Sequence, residues 1–125
     1  MATQEFGEVF SKLRGILQKH SNVLKVSADR PGYYCLSLEF STKLGNDFPV
    51  GWVKIGKNYV SYHFMPVYIF PDLKDGLSLK LKARMQGKSC FNFKSVDDSL
   101  FEELDKLTVN GLRMSREKGF AREKK

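Results

Sequence analysis

Phe6, Val9, Phe10, Leu13, Ile16 and Leu17 recur at spacings of three and four, which sets them on one side of a helix over residues 3–20. Glu5 and Glu8 stand near its start, where carboxylates complement the helix dipole. The period then drops to two. Residues 23–26 alternate briefly, Arg30, Pro31 and Gly32 mark a turn, and 33–40 sends Tyr34, Leu36, Leu38 and Phe40 to one side of a strand. Residues 43–47 read as a hairpin loop, 50–55 as the next strand, 56–58 as a tight turn and 59–65 as its antiparallel neighbour.

Pro66 and Pro71 end this run, and 72–76 reads as a loop or a single helical turn. Ser78 is placed to cap a short helix reaching about residue 86, which Gly87 stops. Residues 89–94 return as a strand with Phe91 and Phe93 inward. Ser95 or Asp97 then caps a final helix carrying Leu100, Phe101, Leu104, Leu107 and Leu112 on one stripe. The charged tail over 115–125 loses this rhythm and is expected to fray. The order α-β-β-β-β-α-β-α predicts one α+β domain over residues 1–125, with a core over about 5–113. Its architecture is a five-stranded, mostly antiparallel sheet with two long helices on one face.

Helices on one face leave the other to whatever the alternation sends there. Parity assigns it Tyr33, Cys35, Ser37, Glu39, Trp52, Lys54, Tyr59, Ser61, His63, Cys90, Asn92 and Lys94. Aromatic rings beside hydrogen-bonding groups are stable on a surface when something binds or covers them. Residues 66–88, with Met65, Val67, Ile69, Phe70 and Leu73, are apolar enough to serve as that cover. The candidate contacts for a ligand are Trp52, Tyr59, Tyr62, His63, Tyr68, Arg84, Lys88 and Cys90. Tyr62 and Tyr68 are included against strict parity because strands twist and prolines reset the register.

Charge narrows the ligand. The net charge of +7 is concentrated in 74–94, with six basic residues and one acidic, and in 111–125, with six and two, whereas 95–110 carries one and five. Such a surplus favours an anionic partner and also keeps a protein in solution. His63 beside Cys90 suggests a thiol nucleophile with an imidazole base, but no catalytic motif surrounds them, and no enzymatic activity is expected. No metal-ligand spacing and no cofactor motif occurs. The acidic group Asp97, Asp98, Glu102, Glu103 and Asp105 is accounted for by the helix start it occupies. Lys80, Lys82, Arg84 and Lys88 lack the phosphate-loop pattern and read as a solvated face. Cys35 and Cys90, 55 positions apart without CxxC spacing, read as reduced thiols of a cytoplasmic protein, although their separate strands leave a bridge geometrically open. Neither a signal peptide nor a membrane segment is read from the chain, which is expected to be a monomer or weak homodimer.

The run 57–64 (KNYVSYHF), its continuation 65–72 (MPVYIFPD) and the segment 84–94 (RMQGKSCFNFK) before the last helix resemble the bacterial family of unknown function that includes YdhG-like proteins, over roughly residues 5–113. The resemblance implies a frataxin-like fold and, through a branch described as an intracellular iron chaperone, a role in iron handling. The residues themselves point first to a non-catalytic binding module for an anionic small molecule or protein partner, and second to single-stranded nucleic acid, with cations flanking stacked aromatics.

Overall fold

The computed structural model describes residues 2–22, 24–38 and 48–117. The expected loop at 43–47, the end of the 33–40 strand beyond Leu38 and the tail from residue 118 lie outside the described residues. Helix α1 (Ala2–Gln18) leads into strands β1 (Lys25–Arg30), β2 (Tyr33–Leu38), β3 (Phe48–Ile55) and β4 (Val60–Phe64). There follow a short helix α2 (Met65–Ile69), a 3-10 turn (Pro71–Gly76) and a single helical turn α3 (Leu79–Lys82). Strands β5 (Met85–Gln86) and β6 (Cys90–Phe93) and the long helix α4 (Asp98–Glu117) complete the order.

The sheet has six antiparallel strands in the order β1-β2-β3-β4-β6-β5, one more than expected. The extra strand is β5. The helix beginning at Leu79 is capped as expected, with the Ser78 hydroxyl accepting the Leu81 N–H at 3.1 Å, but it stops at Lys82. Met85 and Gln86 then pair with Phe91 and Cys90. Gly87, at φ +80°, does not end a helix; it supplies the left-handed residue of the β5–β6 turn. Pro66 does end β4, by standing in the first turn of α2.

Helices α1 and α4 bury one face of the sheet. Val9, Leu13 and Leu17 of α1 and Leu100, Leu104, Leu107 and Leu112 of α4 close over Tyr34, Leu36, Val53, Val60, Tyr62, Phe64, Phe91 and Phe93. Each buried side chain of this size contributes about 1.5–3 kcal/mol. At the centre of this interface Tyr62 meets Thr108, their hydroxyl oxygens 2.5 Å apart, with Thr108 donating to the Leu104 carbonyl at 2.8 Å. Burial drives the Tyr62 phenol far above its ordinary pKa, so it stays neutral.

The carboxylates of α4 hold neighbouring elements. Asp97 caps the helix by accepting the Leu100 N–H at 3.1 Å, and Glu103 accepts from the backbone and hydroxyl of Ser78 at 2.6 and 2.8 Å. Asp98 pairs with Lys12 of α1, and Asp105 with Lys19 at the end of α1. Nη2 of Arg14 donates to both oxygens of Asp29 at 3.0 Å, fastening α1 to edge strand β1. No helix among the described residues is long and apolar enough to cross a membrane.

Residues 65–82 do not fold over the opposite face. Val67 and Leu81 are buried in the same cluster as the helical stripes, with Leu73 and Leu77 packed against it, so this segment widens the helical layer. α2 is pinned there by a close approach. A Cβ at Gly111 of α4 would lie 2.5 Å from Cε2 of Phe64 and 3.2 Å from Cβ of Pro66, whereas one at Gly15 of α1 meets nothing within 4 Å. Gly111→Ala is therefore expected to lower stability by about 1–3 kcal/mol despite alanine's better helix propensity, through overpacking against a ring that cannot withdraw. Gly15→Ala is expected to raise stability by about 0.5–1 kcal/mol. Urea unfolding of the two variants checks the opposite signs.

Candidate ligand-binding site

The antiparallel register lines up two rows of side chains on the face that the helices leave. Cys35, Trp52, His63, Cys90 and Gln86 are successive cross-strand partners in one, and Tyr33, Lys54, Ser61 and Asn92 in the other. For the strand residues in these two rows the parity expected from the sequence is the parity observed, while Glu39 lies outside the described residues. Cys35 and Cys90 are free thiols, with Trp52 and His63 between them in the row. Three strand spacings amount to about 14 Å, far beyond disulfide reach, so the bridge left open by the sequence is closed by the fold.

Trp52 and His63 stack with centroids 4.7 Å apart and planes 11° from parallel. That separation is close to the strand spacing of about 4.8 Å, so the stack runs across the strands. Beyond His63 a hydrogen-bonded chain continues along the face. The Cys90 sulfur lies 3.8 Å from Nε2 of His63 and donates to Oδ1 of Asn92 at 3.2 Å. Asn92 Nδ2 donates to Oε1 of Gln86 at 2.6 Å, and the Tyr59 hydroxyl reaches the same oxygen at 3.4 Å.

This chain ends in an open groove of about 260 Å³ lined by Tyr59, Ala83, Arg84, Met85, Gln86, Asn92 and Lys94. Arg84 and Lys94 are exposed cations, and no lining residue is acidic. A second depression, of about 430 Å³ beside α4, is different in kind: there Lys19 is already paired with Asp105.

Of the residues expected to touch a ligand, Trp52, His63 and Cys90 come together, and Tyr59 and Arg84 meet in the groove. Tyr62 does not belong with them. It is fully buried against Thr108 on the helical side, because β4 keeps its alternation up to Phe64 and Pro66 resets nothing before it. Tyr68 is 53% exposed on α2, with the Lys88 ammonium 5.9 Å from its ring centre, and neither lines the groove. Gln86, Asn92 and Lys94 were missing from the candidates. Parity had placed Asn92 and Lys94 on this face, but the sequence put Gln86 in a helix.

Burial lowers the His63 pKa below the ordinary imidazole value, with Lys54 adding to the effect. Burial also raises the Cys90 thiol, against a hydrogen bond from Ser61 that lowers it. Both groups are therefore neutral near pH 7, and Asn92 holds the thiol where a catalytic triad would have it orient the imidazole. Among the described residues, no three of His, Cys, Asp and Glu gather in one place. Comparison with known proteins finds no matching family model, no matching curated protein and no matching solved structure.

A depressed histidine has a signed consequence. Below about pH 6.5 the unfolded chain takes up a proton that folded His63 resists, so the folded state loses stability as pH falls through that value. His63→Gln is expected to flatten this acid limb between about pH 7 and 5, measured as the urea midpoint at each pH.

Proposed function

We propose that this chain is a non-catalytic binding protein for a small anionic ligand, held in the groove between Arg84 and Lys94. One observation carries the reading. Two exposed cations flank a floor of phenol and amide groups from Tyr59, Gln86 and Asn92, with no carboxylate in the lining to neutralise them. Arginine supplies a planar fork for a phosphate or carboxylate, lysine a point charge, and the amides supply donors that fix orientation. A groove of about 260 Å³ suits a small molecule or the anionic end of a larger one.

Single-stranded nucleic acid is the second reading, supported by the cations beside Trp52, Tyr33 and Tyr59. It is weakened because Trp52 and His63 already stack on each other, whereas a base stacks on an open ring face. The YdhG-like resemblance agrees with the element order and with helices on one face, and a frataxin-like fold and cytoplasmic location belong to the same proposal. Iron handling gains little from the residues. The first helix sets Lys12 and Arg14 against Glu5 and Glu8, and Asp98, Asp105, Glu103 and Asp97 are engaged by Lys12, Lys19, Ser78 and Lys80.

Inorganic pyrophosphate and a fluorescent oligothymidine serve as probes. Pyrophosphate is expected to raise the melting temperature of the parent, and Arg84→Ala/Lys94→Ala to weaken that binding by about tenfold to a hundredfold, the worth of one or two charge-assisted hydrogen bonds. An unchanged affinity in the double variant removes the groove from consideration. Retention of the oligonucleotide with a steep salt slope and no response to pyrophosphate transfers the function to nucleic acid.

A further inference from the structure

The groove uses only one end of the hydrogen-bonded chain; the other end is a thiol and an imidazole brought together across β4 and β6. The Cys90 sulfur and Nε2 of His63, from residues 27 apart in sequence, are 3.8 Å from each other. A metal about 2.3 Å from sulfur and 2.0–2.1 Å from nitrogen spans that gap at an S–metal–N angle of about 120°. Both donors are held from outside the pair. The Trp52 ring stacks on His63 and Ser61 hydrogen-bonds the sulfur, while the thiol proton rests on Oδ1 of Asn92, a bond that is given up when the thiol deprotonates. Such outer partners fix the direction in which a ligand atom points. Both residues are half-buried and face the side of the sheet that α1 and α4 do not cover.

We infer that Cys90 and His63 form a two-donor site for a soft monovalent metal ion, Cu⁺, on the uncovered face of the sheet. Three features select the ion. Thiolate is the ligand that favours Cu⁺ on softness, and imidazole is acceptable to it. No third His, Cys, Asp or Glu joins the pair among the described residues, so a four-ligand protein set for Zn²⁺ is not assembled there. Charge decides between the two. One thiolate neutralises Cu⁺, whereas Zn²⁺ would leave a net positive charge in a half-desolvated place already under the influence of Lys54. On binding, the Cys90 thiol releases its proton to solvent as the sulfur–copper bond forms. His63, with its proton on Nδ1, gives the Nε2 lone pair, and no oxidation state changes. A third position remains open toward solvent.

The chain has one tryptophan, and it is the residue stacked on His63, so the site reports on itself. Cu⁺ delivered anaerobically from a colorimetric chelator is expected to bind at one ion per chain and quench Trp52 fluorescence. Cys90→Ser and His63→Gln are each expected to weaken binding at least about tenfold. Cys35→Ser is expected to bind as the parent does, since Cys35 stands on the far side of Trp52. Should a variant fold poorly, the His63 ring proton resonances of the parent are expected to shift on Cu⁺ addition. Undiminished binding by His63→Gln, one ion shared by two chains, motionless His63 resonances, or displacement of Cu⁺ by an equal concentration of Zn²⁺ would each overturn the site.

Discussion

A six-stranded antiparallel sheet offers two faces, and the apolar stripes of α1 and α4 suffice for one. Everything else in this molecule follows from which residues reach that covered face. Tyr34, Leu36, Val53, Val60, Phe64, Phe91 and Phe93 enter it, together with Tyr62, whose phenol is accepted because Thr108 meets it. A buried hydroxyl without such a partner would cost about 1–3 kcal/mol. The contact thereby fixes how α4 lies along β4, and Gly111 lets the helix come close enough for the Phe64 ring to lie against its backbone. Strand neighbours of these residues have nowhere to go but the opposite side.

Much of this was written plainly in the chain. The stripes of α1 and α4 are long enough for their period to be unambiguous, and two-residue alternation in β2, β3, β4 and β6 assigned the faces correctly, Tyr62 included had parity been followed without exception. What was hidden is the part that depends on pairing. Residues 79–85 alternate leucine, alanine and methionine with lysine and arginine, a pattern that suits a strand as well as a short helix. Only the partnership of Met85 and Gln86 with Phe91 and Cys90 decides where one gives way to the other. The apolar residues of 66–82 were recognisable as buried, but not which layer buries them. Val67 and Leu81 join the helical core because α2 and α3 lie against α4.

The same dependence governs the site. Trp52, His63, Cys90 and Gln86 are spread over 39 positions and share no motif. Register alone sets them side by side, and a one-residue slip in β4 would turn His63 inward and Tyr62 out. The register is secured on the covered face, by packing that has no part in the site. A surface built in this way tolerates changes among its exposed residues more readily than changes beneath it, which is the reverse of what a list of surface contacts suggests.

The acidic start of α4 has an effect that reaches past the ion pairs it makes. By engaging Asp97, Asp98, Glu103 and Asp105 in contacts with Lys80, Lys12, Ser78 and Lys19, the fold keeps these carboxylates among the helices and out of the lining of the groove that Arg84 and Lys94 flank. An anion entering the groove therefore meets Arg84 and Lys94 with no competing carboxylate in the lining, and dissolved salt weakens that attraction first.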